Sequence, residues 1–331
     1  MSKVTLGVDF GGTFLKFTSL DENLNASEVF QLPTTIENGA DGIVDTIVEG
    51  IEKLIADQNL NREDIVGVGI GSPGPLSIST GVLLALPNIP GMENYPLVDK
   101  VASRVNLPVA IENDANAAAY AEFLCGTGRG TTDMVMVTLG TGVGSGIVLN
   151  GKLVHGSHDT GGEMGHLLVQ AGGRQCSCGQ RGCLEEYSAA VKMATHAQAK
   201  MQAEKIDSSL QQVLAENGKI TSYDILKAME AGDEFAASVW DEACYFLAVG
   251  CISLCRLLDP ERIVLAGGLS NAGDKLLEPL NKHWNEMDCK LFPRKTELAL
   301  ASVGSSAGAI GAAGVAWDRF APEVVERMRN N

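Results

Sequence analysis

Val4-Thr5-Leu6-Gly7-Val8-Asp9-Phe10-Gly11-Gly12-Thr13 opens the chain with a short apolar strand that ends on an acid and turns on two glycines. Phe14 to Leu20 reads as a returning strand, so the pair is a β-hairpin. The same grammar restarts in the second half. Met134 to Leu139 is a strand, Gly140-Thr141-Gly142 a turn, and Gly144 to Leu149 a strand running back. Helices and further strands follow each unit, an architectural duplication rather than a solenoid period. Glycine lets main-chain N–H groups approach a phosphate closely, and Thr hydroxyls add hydrogen bonds. Neither turn matches the P-loop or a strict dinucleotide fingerprint. One such turn serves a plain hairpin as readily as a ligand. Two, one of them led by an acid, imply a phosphate clamp with one hairpin in each half.

Between and beyond these hairpins the pattern is α/β. Glu28 to Leu32 adds a third strand, and Ile43, Ile47, Ile51, Leu54 and Ile55 recur at helical spacing from Asp41 to Asp57. Ile65 to Ile70 is a buried strand, broken at Gly71-Ser72-Pro73-Gly74-Pro75. A helix covers Val98 to Arg104. The strand Val109-Ala110-Ile111 ends at Glu112-Asn113-Asp114, and an Ala-rich helix begins at Ala115. A helical block runs from about Ser188 to Leu258 with a break at Asn217-Gly218; Ile263 to Ala266 is a strand ending at Gly267-Gly268, and Ser305 to Asp318 is a helix of small residues.

The 331 residues suffice for two lobes of ordinary domain size. A hydrophobic content of 45% with 20% charged residues suits a soluble globular protein. The net charge of −16 opposes a nucleic-acid surface, because phosphate-backbone contacts need Lys and Arg. The start carries no charged and apolar leader, and no uncharged apolar run approaches the roughly 20 residues of a bilayer span. Eight cysteines without a leader fit a reducing cytoplasm, so no membrane and no disulfide scaffold is expected.

His166, Cys176, Cys178 and Cys183 follow the spacing His-x9-Cys-x-Cys-x4-Cys. Three thiolates and one imidazole make a closed tetrahedral Zn2+ shell, which signifies structure rather than catalysis. Cysteine is also a common buried hydrophobe. That is the reading for Cys244, Cys251 and Cys255, which share one face of an apolar helical stretch, and for Cys125 and Cys289, which show no partner. Near the four candidate ligands, Gly172, Gly173, Gly179 and Gly182 let the loop fold tightly. Glu163, Glu185 and Glu186 thread through it as non-ligands: a zinc-pinned loop, 163–188, presenting carboxylates. Glu186, next to Glu185 and so directed elsewhere, is expected to be solvated.

Taken together, Asp9-x-Gly-Gly-Thr13-x-x-Lys16, Glu112-Asn113-Asp114, Gly161-Gly162-Glu163-x-Gly-His166 and Cys176-x-Cys178-Gly179-x-x-Gly-Cys183-x-Glu185 resemble the ROK family of bacterial sugar kinases and sugar-responsive repressors. The resemblance covers nearly the whole chain, and the zinc segment is its most specific part. It implies an actin-like (ribonuclease H-like) two-lobed ATPase fold with a duplicated βββαβα core, usually dimeric. The expected lobes are residues 1–118, with the helix at about 305–320 packing back onto them, and 119–304.

The same resemblance implies roles. Asp114 matches the catalytic base that accepts a proton from the attacking sugar hydroxyl; its structural alternative is a helix N-cap. Asn113, Glu163, His166 and Glu185 match sugar-binding positions, with His166 shared between zinc and sugar, and Ser72, Gly74 and Asn88 lie on segments that approach the sugar. Asp9 resembles the acid that organises Mg2+ through water. Gly11, Gly12, Thr13, Gly140, Thr141 and Gly142 line the phosphates of ATP, Lys16 either approaches them or is a solvated hairpin lysine, and Gly267-Gly268 resembles the turn near adenosine. The implied activity is an ATP-dependent hexokinase, foremost a cytoplasmic, homodimeric glucokinase forming glucose 6-phosphate. Fructose, N-acetylglucosamine, N-acetylmannosamine and allose kinases remain open alternatives, as selectivity turns on one or two hydrogen bonds. Met92 stands where similar glucokinases often carry an aromatic residue. A helix-turn-helix regulator is disfavoured because only eight residues precede Asp9. A non-catalytic sensor is disfavoured because base and turns are all present.

Overall fold

The structure, a computed structural model, describes residues 3–86 and 88–330. Its strands are Val4–Phe10 (β1), Phe14–Asp21 (β2), Phe30–Pro33 (β3), Ile65–Ser72 (β4), Leu76–Ser77 (β5), Val82–Ala85 (β6), Glu93–Tyr95 (β7), Val109–Asn113 (β8), Met134–Leu139 (β9), Val143–Leu149 (β10), Lys152–Leu153 (β11), Arg262–Ala266 (β12) and Glu297–Leu300 (β13). Among the described residues they form one sheet of order β3-β2-β1-β4-β8, a second of order β11-β10-β9-β12-β13, and a small sheet β5-β6-β7. The two large sheets therefore repeat one plan: a hairpin on one side of a central strand and two later strands, parallel where the pairing is β1·β4·β8 or β9·β12·β13, on the other. Two compact units result. The first runs to Thr132 and adds Gly146–Gly162 and the chain from Ser302 onward; the second holds Asp133–Ser145 and Glu163–Ala301.

In the first unit, helix Gly39–Asp57 turns Ile43, Ile47, Ile51 and Leu54 inward, all buried, each contributing about 1.5–3 kcal/mol by leaving water. Helix Ala307–Phe320 packs backbone to backbone: a Cβ on Gly7 would overlap the Ala309 carbonyl, and one on Gly311 the Ala117 carbonyl. Thr5 Oγ1 donates to the Ala313 carbonyl at 2.9 Å and Trp317 Nε1 to that of Leu20 at 3.0 Å, fixing the helix across β1 and β2.

The second unit is mainly helical beyond its sheet. The expected helical block breaks at Asn217-Gly218 as its sequence implies, and at three further places, giving helices Glu185–Ser188, Ala190–Glu204, Leu210–Asn217, Ser222–Glu230 and Glu234–Leu258. Left-handed residues stop three of them, Lys205, Gly218 and Asp259, and the Thr221–Asp224 capping box starts Ser222–Glu230. Glu234–Leu258 is, among the described residues, the one helix long and apolar enough to cross a membrane; 56% of its most apolar window is buried, with Cys244, Cys251 and Cys255 all inside as their spacing predicts. Asp274–Met287 is a helix that the sequence pattern did not signal, because Pro279 sits inside it. Proline leaves the carbonyl four residues back without its helical N–H. Here that carbonyl, Lys275, accepts from Trp240 Nε1 at 2.9 Å.

Candidate active site

In the first unit the expected residues gather at the carboxyl ends of parallel strands, where open α/β sheets bind ligands. Asp9 pairs with Gly71 across β1·β4, and Ser72 with Asn113 across β4·β8. The expected break at Gly71 is thus displaced: β4 continues through Ser72, because both residues are in register with β8, and ends at Pro73, which has no N–H to give. Ser72 is buried and its hydroxyl donates to the Pro73 carbonyl at 3.1 Å. Gly74 lies beside Asn113, a Cβ there standing 3.6 Å from Nδ2. Asn88 is exposed in the turn between Leu86 and Met92. Met92 itself is buried in the core.

The start of helix Asp114–Cys125 is capped by Asn113, whose Oδ1 accepts the N–H groups of Ala115 at 2.9 Å and Asn116 at 3.2 Å. Asp114 is the first helical residue, exposed, with Oδ1 accepting the Ala115 N–H at 2.8 Å. Cap and carboxylate are therefore different residues. Asn113 keeps its Nδ2 to donate, and the helix N-terminus favours a negative charge on Asp114.

Asp9 carries the other half of this unit's chemistry. Lys16 Nζ lies 3.6 Å from its Oδ2 and donates to the Ser305 carbonyl at 2.8 Å, so Lys16 is a tethered partner of Asp9 rather than a solvated hairpin lysine. Burial raises the Asp9 carboxyl above its ordinary value, against the opposing pull of Lys16. Gly308 abuts that carboxylate closely. Gly11 is half-buried and accepts from Thr34 Oγ1 through its carbonyl, while Gly12 and Thr13 are exposed at the hairpin tip.

The second unit assembles the remaining candidates. Gly140, Thr141 and Gly142 form the β9–β10 turn, and Gly267, with φ +87, lies against the Leu139 backbone, so Gly267-Gly268 adjoins that turn. Glu185 is drawn to the same place: its Oε2 accepts the Val143 N–H at 3.1 Å and lies against Gly142. Glu163 is exposed at the start of the turn Met164–His166.

Sγ and ring-nitrogen atoms of His166, Cys176, Cys178 and Cys183 all lie within 4.8 Å of one another, with Cys176 Sγ 3.8 Å from His166 Nδ1 and Cys178 Sγ 3.6 Å from Cys183 Sγ. Zn–S bonds of about 2.3 Å at tetrahedral angles require S···S separations of about 3.8 Å, so this donor set fits the ion. With Nδ1 facing the thiols, Nε2 is the nitrogen directed elsewhere. The Glu185 and Glu186 carboxylates both approach Cys176. Glu186 is not solvated: it is 2% exposed and paired with Lys192 at 2.8 Å and His196 at 2.9 Å. Burial opposes its charge, yet the hydrogen bonds from Lys192 and His196 hold its carboxyl below the ordinary value.

Sequence reasoning gave no role to three further groups in the first unit, although Glu112 stands in one of its motifs. Glu112, 1% exposed, accepts from Asn113 N–H and Asn116 Nδ2, both at 2.9 Å, and pairs with His155 Nε2 at 2.7 Å. Glu122, also 1% exposed, accepts the N–H groups of Thr127, Ser302 and Val303 at 2.9, 2.9 and 2.7 Å, holding the approach to helix Ala307–Phe320. No local spacing announces the contacts of Glu112 with His155 or of Glu122 with Ser302 and Val303.

Two sheets of one plan, each with a glycine hairpin, and an acid ending the first strand define the actin-like ATPase fold. The chain belongs to the ROK family, whose family model matches residues 5–319. It is 36% identical to a glucokinase of Halalkalibacterium halodurans over 307 residues, 92% of each chain. A solved ROK family glucokinase from Streptomyces griseus, in complex with glucose and AMPPNP, is 32% identical with a TM-score of 0.74 over 94% of this chain and 98% of that one. The family also reaches regulators: the xylose repressor of Bacillus subtilis is 24% identical over 96% of this chain and 77% of its own length.

Proposed function

We propose that this chain is an ATP-dependent hexose kinase that phosphorylates the 6-hydroxyl of glucose by direct in-line transfer. The observation that carries the reading is its full-length similarity to glucokinases, one of them solved with glucose and AMPPNP. Asp114 accepts the hydroxyl proton, an assignment supported by its exposed position on the first helical turn beside Asn113. Asn113 donates through Nδ2. Glu163, Glu185 and His166 Nε2 serve the remaining hydroxyls as acceptors and donor, with Ser72 and Gly74 shaping the floor; Asn88 enters by resemblance alone. Asp9 holds the magnesium of MgATP through water, and the metal neutralises charge on the phosphates when bound. Main-chain N–H groups of Gly11, Gly12, Thr13, Gly140, Thr141 and Gly142 receive the phosphates. Lys16 sets the Asp9 carboxylate, and Gly267-Gly268 lies on the adenosine side.

His166, Cys176, Cys178 and Cys183 would hold Zn2+, which in a closed four-ligand shell cross-links the loop and activates no water. The reading carries with it a homodimer acting in the cytoplasm. The test is ADP release with MgATP against glucose, fructose, mannose, allose, N-acetylglucosamine and N-acetylmannosamine. Strong preference for glucose is expected. Preference for another hexose would move the substrate and keep the chemistry; silence on every sugar from folded, zinc-loaded protein would defeat the kinase reading.

A further inference from the structure

Glu112 is a buried carboxylate with both oxygens committed. Oε1 accepts the Asn113 N–H and Asn116 Nδ2, which fixes the peptide that leads into Asp114 and the first turn of its helix. Oε2 meets His155 Nε2 at 2.7 Å. His155 is the second residue of the 154–162 loop, which is tied down on both sides: Val154 N–H donates to the Ile147 carbonyl at 2.9 Å, Gly161 N–H to the His155 carbonyl at 2.8 Å, and Asp159 Oδ2 accepts the Ile78 N–H at 3.0 Å. Along the chain this loop passes through Gly161-Gly162 directly into Glu163. The Glu112–His155 hydrogen bond thus joins the segment bearing Asn113 and Asp114 to the loop that leads to Glu163.

We propose that Glu112 and His155 are positioning residues for sugar phosphorylation: the pair sets the Glu112–Asn113 peptide, just ahead of Asp114, and anchors the 154–162 loop, and so governs sugar affinity without touching sugar. This rests on the hexose kinase reading above. The chemistry of the pair is specific. Facing an ionised Glu112, whose Oε1 already accepts two N–H donors, His155 presents Nε2–H to Oε2. Three acids face the imidazole, Glu112 from β8, Asp159 from its own loop and Asp318 from helix Ala307–Phe320, with Lys152 and Arg329 around Asp318. The hydrogen bond to Glu112 comes first among the influences that raise the His155 pKa above its ordinary value.

The test compares His155→Leu, His155→Gln and Glu112→Gln in the full chain. Sugar and MgATP kinetics are measured at pH 6 to 8, and glucose binding by calorimetry. Leucine has no donor for Oε2, and a displaced site of this kind costs roughly 100-fold in kcat/KM for sugar. The KM for MgATP is expected to stay within about twofold. Glutamine at 155 keeps an N–H and recovers most of the loss.

Glu112→Gln gives a signature that a merely structural role would not. A protonated His155 then confronts the amide either donor to donor, or, after a flip of the amide, with the amide N–H set against the Asn113 N–H. Neutral His155 relieves the conflict by accepting at Nε2. Sugar affinity in Glu112→Gln should therefore improve as pH rises from 6 to 8, while wild type stays flat. Unchanged sugar KM in His155→Leu, or a flat profile in folded Glu112→Gln, overturns the proposal. Binding of glucose is read independently of turnover, so failure of the kinase reading (no turnover by wild type with any sugar) is distinguishable from failure of the pair.

Discussion

Gly308→Ala separates the chemistry of Asp9 from the stability of its unit. A methyl carbon at residue 308 would stand 2.6 Å from Asp9 Cγ and 2.7 and 2.8 Å from the carboxylate oxygens, where ordinary contact begins at 3.4 Å. One of the two groups must yield by about 0.8 Å. The helix is the less able to move, because a Cβ at Gly7 would already overlap its Ala309 carbonyl and its own Gly311 is set against the Ala117 carbonyl, backbone to backbone. The carboxylate therefore shifts, straining its contact with Lys16. Alanine itself favours the helix by about 0.5–1 kcal/mol over glycine, which offsets part of the crowding, so Tm should stay within about 3 °C of wild type. Displacement of a magnesium-organising carboxylate by most of an ångström should lower kcat/KM for MgATP roughly tenfold to 100-fold. Glucose binding, measured calorimetrically without nucleotide, should be unchanged. The assay is a MgATP titration at saturating glucose beside a thermal melt. Wild-type kcat/KM for MgATP at wild-type Tm would refute the placement of Asp9 at the metal.

Three other outcomes follow from the same geometry. Asp114→Asn should reduce turnover about 10²- to 10⁴-fold while glucose still binds, since Asn113 and not Asp114 caps the helix; calorimetry and ADP release on one sample decide it. Elemental analysis should find about one zinc per chain, lost together with activity in Cys178→Ser and retained in Cys244→Ser, whose thiol is buried in helix Glu234–Leu258. Glu122→Ala should lower stability by ~3 kcal/mol or more, because the N–H groups of Thr127, Ser302 and Val303 lose their acceptor at about 1–3 kcal/mol each. A urea midpoint equal to wild type would show that water replaces the carboxylate at no cost.

The hairpins, the buried helices and the metal-ligand cluster were legible because each is written in consecutive or periodic residues. β1 and β9 are apolar runs closed by glycine turns, and helix Gly39–Asp57 repeats its isoleucines every four residues. Elements that were not legible lack such a signature. Asp274–Met287 is helical across a proline only because Trp240, from another helix, takes up the Lys275 carbonyl. β5 and β7 have two and three residues, too short to show a period, and exist through pairing with β6.

The buried acids are the sharper case. In a sequence an acid beside a loop reads as solvated, since desolvating a charge is costly unless donors surround it. The donors that make burial tolerable for Glu122 come from Ser302 and Val303, 180 residues or more along the chain, and those for Glu112 include a histidine 43 residues away. Glu186, expected to be solvated because it follows Glu185, is buried too, its partners being supplied by Lys192 and His196 on the following helix. Residues that contact a ligand must share a family's chemistry and so carry a motif. Residues that hold them in place need only meet a donor or an acceptor somewhere in the fold: Glu112 stands in the same motif as Asn113 and Asp114, but its pairing with His155 is written nowhere in that motif.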